Sequence, residues 1–312
     1  MRIAMTGSTG LIGSALVPAL EAAGHTVTRV VRPGSRAQGI SWDPAAGSID
    51  RDALEGHHGV IHLAGETIAG LWTAAKKRRI RESRFQGTRL LATALAALRE
   101  PPSVLVSASA SGYYGNRPAD EAVTEDSKRG TGFLAEVVEA WERATDPAKP
   151  AGIRVVNTRF APVLSAREGM LALMLPVFRA GLGGTLGDGK QIWSWVTIDD
   201  AVGAIQFVLA DPQIGGPVNV VAPLPVTNKA FTRTLGRVVR RPTIFGVPEF
   251  LLATVGGEMA REMLLAGVRV VPRKLERAGY RFGYPELEAA LKHVLAQGAN
   301  LRRDDANRAP PP

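Results

Sequence analysis

The sequence predicts an α/β protein, in which a Rossmann-like doubly wound parallel sheet is joined to a smaller, mainly helical C-terminal lobe. Three observations carry this prediction. β-branched strands alternate with helical segments, a glycine-rich turn joins the first strand to the first helix, and Gly and Pro become frequent after Phe160. With 312 residues, of which 45% are hydrophobic, the chain can bury a substantial core.

The first elements form a β-α-β unit. Arg2–Met5 is a short apolar strand, Leu11–Ala23 has helical spacing, and Thr26–Val31 is a β-branched strand that ends before Pro33. Two neighbouring parallel strands need such a crossover helix. Further strands are predicted at Gly59–Leu63, Ser103–Ser107, Ile153–Thr158 and Pro217–Val221, and helices at Thr73–Arg99 and Gly132–Ala144.

The composition excludes several kinds of protein. Without cysteine the chain has no disulfide and no thiolate nucleophile, and no apolar stretch is long enough for a membrane-spanning helix. Residues 6–10 interrupt any signal peptide, so we expect a cytoplasmic protein without a membrane partner. No histidine or carboxylate repeats with His62 at metal-ligand spacing, and we therefore predict no metal site.

The formal net charge of +9 is compatible with nucleic-acid binding. However, the densest basic run, Lys76–Arg81, has no interleaved aromatic residues on which bases would stack. We interpret this run as a solvated helix face and expect no nucleic-acid partner.

Three glycines at a spacing of three residues separate the first strand from the first helix. The first permits the tight turn, the second lets the backbone approach a pyrophosphate, and the third lets helix and strand pack closely. The N–H groups that begin the helix bind anions. The turn therefore predicts a dinucleotide site formed by Gly7, Thr9, Gly10, Leu11, Ile12 and Gly13.

The residue that selects the dinucleotide lies at the end of the second strand. An acidic residue there accepts the ribose 2′-hydroxyl of NAD. Here the strand ends with Val31 and Arg32, and no acidic residue follows until Asp43. Because a guanidinium pairs with a 2′-phosphate, Arg32 predicts NADP as the cofactor. The alternative interpretation of Arg32 is a solvated cation at a strand end.

Several phrases carry a family resemblance. The segment His62–Gly65 and the Ser109…Tyr114-Gly115 pattern resemble the extended short-chain dehydrogenase/reductase superfamily, which includes sugar-nucleotide epimerases. Five stretches resemble more specifically a branch labelled "epimerase family protein": residues 63–66, 72–84, 107–115, 179–200 and 271–291. The resemblance covers residues 1 to about 296, and its C-terminal part is similar to a domain of unknown function.

The resemblance extends the cofactor site beyond the glycine turn. It implies the following residues: Val31 and Arg32 beside the adenosine ribose, Leu63, Ala64, Gly65 and Glu66 at the tip of the fourth strand, Arg84 where the superfamily has Asn, and Val163 beside the nicotinamide.

The catalytic pair of the superfamily is absent. Its members use a Tyr as general acid–base, with a Lys four residues later that lowers the pKa of the phenol. This chain has no Y-x-x-x-K, and Phe133 and Val137 stand at the expected positions. The remaining catalytic candidates are Ser109, Tyr113, Tyr114 and Glu66. For Ser109 a backbone hydrogen bond, and for Tyr114 a packing role, are the alternatives.

The substrate is expected to be a small molecule other than a nucleotide sugar. Sugar-nucleotide members clamp the diphosphate with an Arg that is missing from Gln191–Val196. Trp193 and Trp195 in this segment suit either a flat ligand or the core. Two functions remain open: an NADP-dependent oxidoreductase or epimerase, and a non-catalytic NADP(H)-binding sensor or scaffold.

The predicted organisation has three parts. Residues 1–225 form the NADP-binding domain, with part of the substrate lobe at about 160–200, and residues 226–298 form a small substrate-side domain. Residues 299–312 are polar and predicted to be a disordered tail. Asp199 and Asp200 are expected to cap a helix, and the protein is expected to be a monomer or homodimer.

Overall fold

The structure is a computed structural model that describes residues 1–308 of the chain. Its strands are β1 Arg2–Thr6, β2 Thr26–Val31, β3 Ile40–Asp43, β4 Ser48–Ile49, β5 Gly59–His62, β6 Val104–Ala110, β7 Ala122–Val123, β8 Arg154–Phe160, β9 Val163–Leu164, β10 Gly184–Leu186, β11 Ile192–Trp193, β12 Val196–Thr197, β13 Gly216–Val220, β14 Val226–Thr227, β15 Phe245–Val247 and β16 Arg269–Val270.

The α-helices between these strands are α1 Leu11–Ala22, α2 Ala74–Ala96, α3 Phe133–Arg143, α4 Gly169–Arg179, α5 Ile198–Ala210, α6 Asn228–Val239, α7 Glu249–Ala260, α8 Arg273–Arg277 and α9 Leu287–Arg308. Tighter or wider helical turns occur at Asp52–Leu54, Ser111–Tyr114, Asp146–Ala151 and Arg261–Leu265. None of the helices described here combines the length and the apolar character needed to cross a membrane.

The main sheet has the strand order β13-β8-β6-β5-β1-β2-β3-β4. Neighbouring strands pair in parallel, except that β4 is antiparallel to β3. The order reverses between β1 and β5, and ligands of such sheets bind at the carboxyl ends of the strands at this switch point. The glycine turn after β1 and the segment after β5 both lie there.

The predicted fold class is confirmed. The first β-α-β unit matches its predicted boundaries to within one residue, and the later strands of the sheet begin close to their predicted starts. The strand that begins near Ser103 continues to Ala110, and the strand that begins near Ile153 continues to Phe160. The strand at Gly59 is the fifth rather than the fourth, because the short strands β3 and β4 precede it.

Apolar layers cover both faces of the sheet. On one face Leu16 of α1 packs with Ile205 of α5 against the strands, and on the other Leu91 of α2 packs with Leu105 and Val155. Because both faces are covered, nearly all residues of the central strands β5, β6 and β8 are buried, as is usual for parallel sheets.

A separate apolar cluster joins α4, α6 and α9 in the C-terminal lobe. Trp193 and Trp195 are 7% and 1% exposed and belong to this cluster, which supports the core interpretation of both residues. The last helix extends to Arg308, although the sequence predicts disorder from residue 299. No Gly or Pro interrupts residues 299–309, so polarity alone does not end the helix. Residues 309–312 lie outside the described residues.

The expected aspartate cap of α5 is wrong. Thr197 is the N-cap, and its Oγ1 accepts a hydrogen bond of 3.0 Å from the N–H of Asp200. The Asp200 carboxylate instead accepts hydrogen bonds from the N–H groups of Gly283 and Tyr284, at 2.6 and 3.2 Å. The aspartate therefore joins α5 to the segment before α9.

Candidate functional site

The three glycines of the turn have different surroundings. At Gly7, where φ is +69°, a Cβ would lie 2.7 Å from the carbonyl carbon of Leu63, and at Gly13 a Cβ would lie 2.1 Å from the Gly7 oxygen. At Gly10, φ is −80° and a Cβ would meet the Gly7 oxygen at an ordinary 3.5 Å. Gly7 and Gly13 thus allow the turn, β5 and α1 to pack closely, whereas Gly10 is exposed.

The N-terminus of α1 presents backbone donors at this turn. Ser14 donates the first helical hydrogen bond, to the Gly10 oxygen at 2.8 Å. The N–H groups of Leu11, Ile12 and Gly13 precede it and point out of the helix N-terminus. The first turn of α1 carries no acidic side chain. This arrangement fits a dinucleotide pyrophosphate, whose charge the helix N-terminus would stabilise.

The segment after β5 lies beside the turn. The N–H of Leu63 donates to the Thr6 oxygen at 3.3 Å, and the N–H of Ala64 donates to Thr6 Oγ1 at 3.3 Å. Arg32 follows β2 on the other side of β1 and is exposed. The structure therefore brings the predicted residues from three strand ends to one edge of the sheet, which we call the cofactor edge (residues 7–13, 31–32 and 63–66).

Arg84 lies next to the cofactor edge and contacts its backbone at Glu66. Its Nη1 donates hydrogen bonds to the carbonyl oxygens of Glu66, at 2.9 Å, and Ile80, at 3.3 Å, and its guanidinium lies 4.9 Å from the Trp141 ring centroid. Burial lowers the pKa of Arg84 to about 10. The guanidinium holds the backbone at Glu66 in place.

Val163 lies near the same edge. It is buried in β9, which pairs with β12. A Cβ on Gly169 would lie 3.3 Å from the Leu11 side chain and 3.6 Å from the Val163 oxygen. Val163 is therefore close to the start of α1, where the resemblance implies it.

Glu66 forms an ion pair at the cofactor edge. Its carboxylate accepts a hydrogen bond of 2.7 Å from the Lys76 ammonium, and Arg79 Nε lies 3.9 Å away. The hydrogen bond from Lys76 is the main cause that lowers the pKa of Glu66, and the nearby charges of Lys76, Arg79 and Arg32 add to it. A carboxylate held ionised in this way accepts a proton poorly at neutral pH.

His62 lies beneath the glycine turn and is fully buried. Its Nδ1 lies 2.7 Å from Thr6 Oγ1, and its Nε2 lies 2.9 Å from Thr88 Oγ1. Burial lowers the pKa of His62 to about 4, so the ring is neutral at pH 7. Among the side chains of residues 1–298 we find no group of three or more His, Asp or Glu positioned to hold a metal ion.

Two of the catalytic candidates belong to a buried network after β6, which we call the Glu142 network (Ser109, Tyr114, Glu142, Arg159 and Asn219). Ser109 Oγ donates to Glu142 Oε1 at 2.6 Å, and Arg159 donates to both carboxylate oxygens of Glu142, at 2.7 and 2.8 Å. The Tyr114 hydroxyl donates to Asn219 Oδ1 at 2.7 Å and accepts from Arg159 Nη1 at 2.9 Å.

The charges of this network stabilise one another. Burial alone would lower the pKa of Arg159, but the hydrogen bonds and charge of Glu142 outweigh it and raise that pKa. Burial raises the pKa of Tyr114 to about 12 despite the opposing charge of Arg159. The Ser109 hydroxyl bonds to the Glu142 carboxylate and not to a backbone group, and the Tyr114 ring is fully buried. The Arg159 guanidinium also lies 3.6 Å from the centroid of the half-buried Tyr113 ring.

Phe133 and Val137, which stand where the resemblance places Tyr and Lys, are apolar and buried. Phe133 and Val137 are 6% and 2% exposed, and Phe133 packs against Trp72 with ring centroids 5.1 Å apart. The Lys77 ammonium lies 4.4 Å from the Phe133 ring centroid and donates to Glu258 at 2.8 Å. The ring at this place is thus contacted by Lys77, which itself pairs with Glu258.

Glu142 and Arg159 were missed in the sequence. A signal was present, because Arg159 lies at the end of a predicted central strand, and a buried arginine needs a carboxylate partner. Glu142 itself could not be identified as the partner. Its helix carries three other acidic or basic residues, and their spacing is that of an ordinary exposed helix face.

The fold and the cofactor edge define a dinucleotide-binding α/β protein of the short-chain dehydrogenase/reductase type. Residues 3–221 match the family described as "NAD dependent epimerase/dehydratase family", and residues 247–294 match a domain of unknown function, DUF1731. The chain belongs to the NAD dependent epimerase/dehydratase family.

Relatives resemble the chain over nearly its full length. The epimerase family protein MT2273 of Mycobacterium tuberculosis is 45% identical over 297 residues, which span 95% of this chain and 98% of that protein. A crystal structure of the human epimerase family protein SDR39U1 with NADPH has a TM-score of 0.85 and 33% identity, and the match covers 95% of this chain and 99% of that one.

A second solved structure extends the comparison. The nucleoside-diphosphate sugar epimerase from Corynebacterium glutamicum has a TM-score of 0.76 and 37% identity. The match covers all of this chain and 62% of that one. The family resemblance seen in the sequence, including its C-terminal domain, is therefore confirmed.

Proposed function

We propose that the protein is an NADP(H)-dependent oxidoreductase or epimerase that acts on a small molecule. The observation that carries the proposal is the cofactor edge, where an exposed glycine at a helix N-terminus lies at the switch point of the sheet and a cation follows β2. The NADPH in the crystal of the human relative supports the same cofactor here.

The proposed cofactor site consists of residues from three strand ends and two neighbouring elements. These are Gly7, Thr9, Gly10, Leu11, Ile12, Gly13, Val31, Arg32, Leu63, Ala64, Gly65, Glu66, Arg84 and Val163. Arg32 would pair with the 2′-phosphate, because two planar N–H donors match phosphate oxygens. Residues 1–225 would form the cofactor domain and residues 226–298 the substrate side, in a monomer or homodimer located in the cytoplasm.

NADP(H), when bound, supplies hydride transfer. The chain must supply the proton, and the proposed candidates are Tyr113, Glu66, Ser109 and Tyr114. The hydroxyls of Ser109 and Tyr114 are engaged in the Glu142 network, whereas Tyr113 contributes its ring and not its hydroxyl to the contact with Arg159. This favours Tyr113 as the group that would meet a substrate.

We propose a substrate other than a nucleotide sugar, although the relative from Corynebacterium is called a nucleoside-diphosphate sugar epimerase. The segment Gln191–Val196 offers no arginine, and its two tryptophans are buried in the core. A diphosphate would find no cation on this segment.

The alternative is a non-catalytic NADP(H) sensor or scaffold. It is favoured by the apolar burial of Phe133 and Val137 and by the engagement of the Ser109 and Tyr114 hydroxyls. Loading the protein with NADPH and screening carbonyl compounds for loss of NADPH absorbance separates the two functions. If the protein turns over any class of carbonyl compound, and Tyr113→Phe abolishes that turnover, the result supports the enzyme. Inactivity with all classes of carbonyl compound supports the sensor.

The cofactor preference has its own test. In a fluorescence titration, NADPH should bind more tightly than NADH, and Arg32→Asp should reverse the order because a carboxylate repels the 2′-phosphate and accepts the 2′-hydroxyl. Equal affinities of the wild type for both dinucleotides would contradict the role of Arg32.

A further inference from the structure

The ion pair of Glu66 belongs to a larger group of charges. Lys76 lies 2.7 Å from its carboxylate, Arg79 lies 3.9 Å from it, and Arg32 is near enough to lower the pKa of Glu66. Three cations thus surround one carboxylate. The Lys76 side chain is only 12% exposed, whereas that of Glu66 is 33% exposed.

The placement of Lys76 is electrostatically unfavourable without an anion. It lies in the first turn of α2, whose N-cap is Thr73, and this turn carries no acidic residue. The positive end of a helix dipole repels cations. A mostly buried lysine side chain at this position therefore needs a negative partner, and Glu66 neutralises one of the three neighbouring cations.

The group lies on the adenosine side of the cofactor edge. Arg32 directly follows β2, Glu66 follows β5, and β1 with the glycine turn lies between these two strands. The first turn of α2 reaches the same place through the contact of Lys76 with Glu66. The excess positive charge is thus next to the proposed site of the 2′-phosphate.

We propose that Lys76 and Arg79 bind the 2′-phosphate of NADP(H) together with Arg32, and that Glu66 is the counter-ion which the phosphate replaces. This inference rests on the proposed function, and it adds two residues of α2 that set the preference for the phosphorylated cofactor. The interpretation of the basic run as a solvated face is corrected for Lys76, whose side chain is largely buried.

The substitutions Lys76→Gln and Arg79→Gln test the two cations by titration with NADPH and with NADH. Lys76→Gln removes a charge-assisted hydrogen bond to the phosphate. It should therefore weaken NADPH binding about tenfold and leave NADH binding unchanged. Arg79→Gln should act in the same direction, about threefold, because its guanidinium is more exposed. Lys76→Arg should restore most of the preference.

The counter-ion role of Glu66 predicts the opposite sign. Glu66→Gln should tighten NADPH binding about fivefold relative to NADH binding at low salt, because a negative charge near the 2′-phosphate is removed. The matched control is Arg78→Gln, which removes the same charge from an exposed position of the same helix turn and should change neither affinity.

Each outcome decides the inference. Equal weakening of NADPH and NADH by Lys76→Gln would place the ammonium on the pyrophosphate and overturn it, as would an unchanged ratio in Lys76→Gln or an equal effect of Arg78→Gln. Thermal unfolding of each variant shows whether it is folded, and Lys76→Arg remains informative if Lys76→Gln is not. Failure of the wild type to bind either dinucleotide would instead contradict the proposed function itself.

Discussion

The cofactor edge and the Glu142 network lie at the ends of neighbouring strands, and they consist of different chemical groups. The cofactor edge consists mainly of backbone: three glycines, a helix N-terminus and the segment after β5. The Glu142 network consists of side chains, in which a mostly buried carboxylate and an almost completely buried guanidinium are hydrogen-bonded.

The difference separates groups that are available to a ligand from groups that are engaged within the protein. Backbone recognition of a dinucleotide depends on a short local spacing, and that spacing is present here. At the end of β6, the hydroxyls that would face a substrate are bonded to Glu142, Arg159 and Asn219 instead. Binding of the cofactor and stability of the fold should therefore respond to different substitutions.

The largest expected effect is on stability, at Glu142. Glu142→Gln leaves the Arg159 guanidinium buried without its counter-ion, and breaking such a pair costs about 3–5 kcal/mol. Urea unfolding monitored by circular dichroism measures the loss. The NADPH affinity of the folded protein should remain that of the wild type.

The matched control is Glu139→Gln on the same helix. Glu139 pairs with Arg129 and Arg143 at the surface, and its loss should cost under about 1 kcal/mol. A Glu142→Gln variant of normal stability but reduced NADPH affinity would remove the distinction between the two regions, since the network would then belong to the cofactor site.

His62 should give an intermediate effect that depends on pH. Its folded pKa of about 4 lies below the value of 6.5 for an exposed histidine. Its contribution is therefore complete above pH 6.5 and is lost as the pH falls toward 4, because the unfolded chain binds the proton more tightly. The free energy of unfolding should be about 2 kcal/mol lower at pH 5 than at pH 7 from this group.

His62→Gln should abolish that part of the pH dependence, which urea unfolding at both pH values measures. His58→Gln, at an exposed histidine, serves as the control and should retain it. An identical pH dependence in wild type and His62→Gln would show that the ring is not kept neutral by burial.

The same distinction explains what the sequence could predict. The glycine turn and the first β-α-β unit depend on neighbours within about ten residues, so local spacing identified them. The Glu142 network joins residues as distant along the chain as Tyr114 and Asn219, and no local pattern marks such partners. The burial of Lys76 was missed for a different reason: its partner Glu66 is only ten residues away, but the irregular loop between them has no periodic spacing that would indicate the contact.

The smallest effect on stability, with a clear effect on binding, is expected at Gly10. A Cβ there has an ordinary contact and a φ that alanine adopts, so Gly10→Ala should unfold like the wild type. Because the methyl group would keep a pyrophosphate from the N–H groups of α1, NADPH and NADH should both bind at least about tenfold more weakly.

Gly13→Ala, whose Cβ would lie 2.1 Å from the Gly7 oxygen, should instead destabilise the fold. If Gly10→Ala binds both dinucleotides normally, the backbone of this turn does not hold the pyrophosphate. The claim that the cofactor edge binds its ligand through backbone groups would then be wrong.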